Sequence, residues 1–207
     1  MNTNTVHVAV YDTMSDWEIG YATAHINNPL WQREPGRYAV VTVGPSREPV
    51  TSKGGMRITP DIALDELAVE DSAMLILCGA DTWENGDNAA FGRTARQFLD
   101  AGVPVAAICG GTAGLAAEGL LDDRRHTSNA PQYAEAFGSK GGELYVDEPA
   151  VTDRGLITAT ATAPAEFARE IFAALDLYEP HVLESWYKLY GLKDPAGYFE
   201  LAATEAQ

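Results

Sequence analysis

Residues 103–117, Val103-Pro104-Val105-Ala106-Ala107-Ile108-Cys109-Gly110-Gly111-Thr112-Ala113-Gly114-Leu115-Ala116-Ala117, constrain the fold more than any other stretch. An apolar run of strand length, entered through Ala101-Gly102, passes through a cysteine into two glycines and then into a Leu/Ala segment of helical character. A cysteine at the corner between a buried strand and the first turn of a helix is the arrangement of a nucleophile elbow, where a tight turn pushes one reactive side chain clear of its neighbours. Gly110 and Gly111 lack a Cβ, so the backbone can bend sharply and approach a ligand closely. The helix start turns free N–H groups and the positive end of a dipole toward the sulfur, which favours thiolate over thiol. The alternative is a structural cysteine that only fills space, since Cys is among the most buried residue types.

The rest of the chain supplies partners for such a strand. Thr5–Tyr11 reads as a first strand, ended by the turn-forming Asp12-Thr13-Met14-Ser15-Asp16, and Trp17–Ile26 as a helix stopped by Asn27-Asn28-Pro29. Arg37–Val43 is a second strand. Thr51–Ile58 is a small hairpin or bent edge strand around Lys53-Gly54-Gly55, and Asp61–Leu67 a short helix. Ala73–Cys78 is a buried strand ending at Gly79, and Asn88–Ala101 the helix leading into the elbow strand. Arg125–Ser128 reads as one more short strand, Pro131–Phe137 as a short helix, and Val151–Ile157 as a hairpin turning on Asp153-Arg154-Gly155. Pro164 opens a helix reaching Leu175, at a position where its missing N–H is not needed. Strands and helices that alternate this way predict an α/β fold, a mostly parallel sheet with helices on both faces. Residues 178–207 break the rhythm: two helical pieces separated at Gly191–Pro195 and rich in aromatics, expected as a helical cap or a dimer surface.

Composition narrows the functions. The 207 residues fit one domain with an appendage. A net charge of -16 argues against gripping a phosphate backbone or an anionic membrane surface, so no nucleic-acid or membrane partner is expected and a small-molecule substrate is the default. No stretch has the length to span a bilayer, and Met1–Thr5 carries no basic-then-apolar signal. Cys78 and Cys109 are too few for a disulfide scaffold and fit a reducing cytoplasm. The histidines are scattered, so neither a metal nor another cofactor is expected.

In a parallel sheet the ligand crevice lies beyond the carboxyl ends of the strands. Three such ends carry reactive groups: Asp16-Trp17-Glu18 after the first strand, Cys78-Gly79-Ala80-Asp81-Thr82-Trp83 after the third, and Cys109 after the fourth. The N–H groups at Gly79, Ala80 and Gly110 are candidates to hold a developing oxyanion.

With Leu77-Cys78-Gly79-Ala80, Ala106-Ala107-Ile108-Cys109-Gly110-Gly111 and Glu18 in this order, residues 5–177 resemble the ThiJ/PfpI (DJ-one) superfamily of class I glutamine amidotransferase-like proteins. Gly79-Ala80-Asp81-Thr82-Trp83 and Arg125-His126-Thr127-Ser128-Asn129 resemble strings of its bacterial amidotransferase and amidase branch. The resemblance implies a flavodoxin-like three-layer sandwich, usually a homodimer. Residues 1–177 would form the amidotransferase-like domain, with 178–207 as a helical extension packed on it. It also implies Cys109 as the elbow nucleophile, hydrogen-bonded to Glu18. Protease-like members place His directly after the cysteine, where this chain has Gly110. Others place one at the end of the next strand, where this chain has Asn129. His126 lies three residues earlier, on the opposite face of the expected strand. A Cys–His pair is therefore not expected, nor is peptidase activity.

Each residue keeps a second reading. Glu18 is either a solvated first-turn carboxylate or a protonated partner donating to the Cys109 thiolate. His126 is either a structural hydrogen-bonding residue or a base. Asn129 is a cap before Pro131 or a pocket residue, Trp83 a core filler or a pocket wall, and Cys78 a plain core cysteine. Three functions compete: a cysteine-dependent hydrolase, amidase-like or glyoxalase-like enzyme on a small carbonyl or amide; a redox-responsive protein whose low-pKa Cys109 is oxidised; and a non-catalytic binding protein.

Overall fold

The three strand ends named above belong to three adjacent strands. The computed structural model describes residues 4–204. Residues 1–3 of the N-terminal segment and 205–207 of the tail lie outside the described residues. In chain order, the elements are β1 (Asn4–Ala9), α1 (Gly20–Asn27), β2 (Tyr38–Gly44), β3 (Val50–Thr51), β4 (Arg57–Ile58), β5 (Ile62–Ala63), β6 (Ser72–Leu77) and α2 (Ala89–Asp100). They continue as β7 (Val105–Ile108), α3 (Gly110–Ala117), α4 (Pro131–Ala136), β8 (Ala150–Asp153), β9 (Leu156–Ala159), α5 (Pro164–Ala174), α6 (Pro180–Tyr190) and α7 (Ala196–Thr204).

A seven-stranded sheet runs β5-β2-β1-β6-β7-β9-β8, parallel throughout except for the edge strand β8, and β3 and β4 form a separate antiparallel hairpin. This is an α/β flavodoxin-like architecture. Strands covered on both faces must be apolar without alternation. Met74–Leu77 of β6 and Val105–Ile108 of β7 accordingly have no exposed surface at all. Helix α2 buries Phe91, Ala95 and Phe98, at the spacing of one helical face. Helix α5 buries Phe167, Ala168, Ile171 and Phe172. Each buried Phe contributes roughly 1.5–3 kcal/mol. Among the described residues no helix is long and apolar enough to cross a membrane.

After β1 the chain moves to β2 on one side and later returns to β6 on the other. The crevice of a doubly wound sheet opens at such a reversal. Glu18 follows β1, Gly79 follows β6, and Cys109 follows β7, so topology alone gathers them.

The structure corrects several sequence expectations. The first helix begins at Gly20 rather than Trp17. Residues 14–18 are instead tied into turns by the Ser15 N–H to Gly79 O (2.9 Å) and the Glu18 N–H to Ser15 O (3.3 Å). Expected as a helix, residues 61–67 form β5 and a single 3₁₀ turn. The Asp61 carboxylate accepts from the N–H and hydroxyl of Thr42, which draws the segment alongside β2. Residues 125–128 are not a strand; only a lone bridge joins His126 to Tyr145. The Arg125 N–H goes to Asp153 Oδ2 and the Thr127 N–H to Thr158 Oγ1, while the His126 N–H goes to Leu144 O in a 3₁₀ turn, so no ladder with a neighbouring strand forms. The β8–β9 hairpin does turn on Arg154 and Gly155, both at positive φ, as a tight hairpin requires. The helical tail breaks between α6 and α7, where expected.

Candidate active site

Cys109 sits between β7 and α3 with φ 55° and ψ -123°, outside the usual regions for a residue with a Cβ. Its neighbours hold it there. The Cys109 N–H donates to Ala159 O (3.0 Å), and its carbonyl accepts both the N–H (3.0 Å) and the hydroxyl (2.6 Å) of Thr112. The Thr112 hydroxyl in turn meets Ser128 Oγ at 2.6 Å, with both side chains buried. Strain at one backbone position is thus met by three hydrogen bonds, and the residue is left half-buried.

Glu18 has no exposed surface. Its Oε2 accepts the Gly79 N–H at 2.5 Å, while its Oε1 is buried with no hydrogen-bond donor. Gly79 separates acid and sulfur by very little. A Cβ there would lie 2.8 Å from Cys109 Cβ, 2.9 Å from Cys109 Sγ and 2.9 Å from Glu18 Oε1. Oε1 and Sγ therefore border the same small space, and only a glycine leaves it open. As an ionised acceptor Oε1 is unsatisfied; protonated, it becomes a donor facing the sulfur. The Gly79 amide, expected among the oxyanion donors, is committed to the acid.

The charge balance follows from burial. Desolvation raises the Glu18 pKa above its ordinary value, only partly opposed by the donors that favour its carboxylate, the Gly79 N–H first and then the neighbouring Cys109 thiol and the Ser15 side chain. The Cys109 thiol is pushed up to about 11, by burial first and by the Glu18 charge second; the Asn129 amide and the Gly110 N–H pull the other way. This overturns the expectation of a low-pKa thiol, because the helix start is outweighed by burial beside an acid. Two groups that both resist ionisation, side by side, disfavour carrying two negative charges at once and titrate as a coupled pair.

Asn129, expected as a cap or a pocket residue, reaches the sulfur: its Nδ2 lies 3.4 Å from Cys109 Sγ. Its Oδ1 accepts the Ala161 N–H at 3.0 Å, which fixes the orientation of the amide. His126 is engaged elsewhere, with Nδ1 2.9 Å from Arg124 O and its ring edge-on to Tyr145. Trp83 is 4 % exposed and lies beneath α3, its Nε1 donating to Cys78 O and Tyr11 Oη. A Cβ on Gly114 would fall 2.1 Å from its ring, so it supports the elbow from behind. At Gly110 a Cβ would come within 3.2 Å of Ala80 N and of Trp83, so the Ala80 and Gly110 backbones converge beside the sulfur. Cys78 is buried and directs its sulfur toward Ala9 O, and both cysteines are free. Among the described residues no three His, Cys, Asp or Glu side chains are grouped to hold a metal.

Two contributors were not foreseen. Lys53, from the β3–β4 hairpin, pairs with Asp81 Oδ1 at 2.7 Å and feels the charges of Cys109 and Glu18. Tyr133 on α4 also feels both, and burial raises its phenol to about 12. The Lys53-Gly54-Gly55 turn was visible in the sequence, but nothing there indicated which strand end it folds over.

Residues 4–174 match the family described as DJ-1/PfpI. The chain is 41% identical over 207 residues, 99% of each chain, to a Bacillus subtilis protein named uncharacterized protease YoaZ. It is 28% identical over 145 residues to the glutathione-independent glyoxalase DJR-1.2 of Caenorhabditis elegans, covering 68% of this chain and 75% of that one. The crystal structure of a thiJ/pfpI family protein from Bacillus anthracis superposes with a TM-score of 0.91 at 40% identity, covering 98% of this chain and 97% of that one.

Proposed function

The chain belongs to the DJ-1/PfpI family, and from that premise we propose that it is a cysteine-dependent enzyme acting on a small carbonyl compound, a 2-oxoaldehyde above all. The observation that carries this reading is the unpartnered Glu18 Oε1 bordering the same space as Cys109 Sγ. In the singly charged pair, the tautomer with protonated Glu18 leaves a thiolate supported by Asn129 and Gly110. The thiolate adds to the aldehyde carbon, forming a C–S bond, and the carbonyl oxygen takes the Glu18 proton. The Glu18 carboxylate then removes the hydrogen on that carbon. Delivering it to the adjacent carbon, while the hydroxyl proton passes from the first oxygen to the second, turns the hemithioacetal into a 2-hydroxy thioester. Water cleaves the thioester to a 2-hydroxy acid and returns the thiol. The substrate is rearranged without net oxidation, so no outside electron acceptor is needed. The Ala80 and Gly110 N–H groups are the candidates to hold the oxyanion.

Amide or peptide cleavage is less well supported. It requires an acid for the departing amine, and the imidazole of His126 is bound away from the sulfur. The raised thiol pKa counts against a redox-sensing role, and it means that attack on a carbonyl draws on the minor tautomer in which Glu18 holds the proton. The family resemblance also favours a homodimer, and the two free cysteines fit a reducing cytoplasm. The test is turnover of methylglyoxal, with glutamine and small amides alongside. We expect lactate formation from methylglyoxal that disappears in Cys109→Ser; turnover of the amides alone would replace this reading.

A further inference from the structure

Trp17 and Glu18 are adjacent in sequence and opposite in environment. Glu18 is wholly buried, while Trp17 is 52 % exposed, with Trp83 and Trp186 buried at 4 % and 0 %. A single exposed indole is ordinary on a protein surface, but the attachment of this one is specific. Its Nε1 donates to Ala161 O at 3.3 Å. The N–H of the same residue, Ala161, donates to Asn129 Oδ1, and Asn129 Nδ2 lies against Cys109 Sγ. Three hydrogen bonds in series therefore run from the indole to the reacting sulfur and set the ring on the rim of the site. The backbone beneath it is held from the other side as well. The Lys53 N–H donates to Met14 O at 2.8 Å, and the Gly54 N–H donates to Asp16 Oδ2 at 2.7 Å. The ring is thus presented on a braced segment, with its edge fixed and much of its surface open.

We propose that Trp17 is a specificity-determining residue that packs against the substituent carried by the substrate's carbonyl carbons, so that the preferred substrates are 2-oxoaldehydes with an aromatic or bulky apolar group. This rests on the reading of Cys109 and Glu18 as carbonyl chemistry, but the contact itself is independent of turnover. An aromatic substituent on an indole face gains offset or edge contacts that a methyl group cannot make.

Two measurements decide it. The first compares phenylglyoxal with methylglyoxal in initial rates. In Trp17→Ala the ratio of KM for phenylglyoxal to KM for methylglyoxal rises about tenfold, whereas Trp17→Phe, which keeps a ring, stays within about threefold of the parent. The second uses binding alone. Acetophenone, which is not turned over, quenches the protein's tryptophan fluorescence in a saturable way, and the quenching is lost in Trp17→Phe. Loss of methylglyoxal turnover together with retained Trp17-dependent quenching would reject the chemistry and keep the contact. An unchanged KM ratio with no Trp17-dependent quenching would overturn the contact. So would a change of oligomeric state in Trp17→Ala by size-exclusion chromatography, which would assign the indole to a subunit interface.

Discussion

Two titratable side chains seven residues apart, Glu18 just before α1 and His25 within it, are both withdrawn from water, and the structure treats them differently. His25 has a partner for each ring nitrogen: Trp186 Nε1 donates to its Nε2 at 3.2 Å, and Tyr178 Oη meets its Nδ1 at 3.2 Å. Edges of Phe172, Trp186 and Tyr190 surround the ring. Glu18 has one oxygen satisfied and the other without a donor, turned toward the space it shares with a thiol. The same desolvation acts on both and shifts them in opposite directions, because it penalises whichever form is charged. It lowers His25 to about 4 and raises Glu18. A buried group whose polar atoms are all matched locks three helices together. One left with an open valence is poised to exchange a proton.

Replacing the nucleophile tests that contrast most severely. Cys109→Ser is expected to lower methylglyoxal turnover by on the order of 10³-fold or more, read from initial rates. Glu18→Gln sharpens it by separating reactivity from catalysis. The anionic neighbour goes and an amide donor stays, so the thiol pKa should fall below about 11 in the pH dependence of iodoacetamide labelling. Yet kcat/KM should drop about 10²-fold, because the proton carrier is gone. If both quantities fell to nothing, or neither moved, Glu18 would not be the carrier. In the parent protein, activity should rise as the pair sheds its first proton and fall again near pH 11, where the second leaves.

Gly79→Ala forces a methyl between acid and sulfur. It should cost about 1–3 kcal/mol in denaturant melts and reduce labelling of Cys109. The smallest effect belongs to the fully partnered side chain. His25 has a folded pKa depressed from 6.5 to about 4, so the unfolded chain takes up its proton first. The stability it contributes is complete above pH 6.5 and is lost as pH falls toward 4, by an amount on the order of 1–2 kcal/mol after allowance for partial exposure. His25→Phe should flatten that part of the Tm-versus-pH curve and leave thiol labelling alone.

The order of strands and helices was legible because buried parallel strands leave continuous apolar runs, and the elbow was legible because two glycines follow a cysteine at a strand end. The expected strand at Arg125–Ser128 was not, since the Arg125 and Thr127 N–H groups are taken by the side chains of Asp153 and Thr158, residues distant in sequence. For the same reason Asn129 looked like a cap: nothing local shows that its amide ends beside Cys109. The direction of the thiol shift was misjudged from the helix start alone. The opposing influence comes from Glu18, ninety-one positions earlier, and from burial that only the assembled sheet creates.

The backward-turned φ of 55° at Cys109 limits which amino acids can ever occupy that corner. Branching at Cβ adds to the clash of such a backbone, so threonine suits the corner less well than serine. A hydroxyl nucleophile engineered into this corner would therefore be serine, because the extra methyl of threonine meets a backbone that already crowds Cβ.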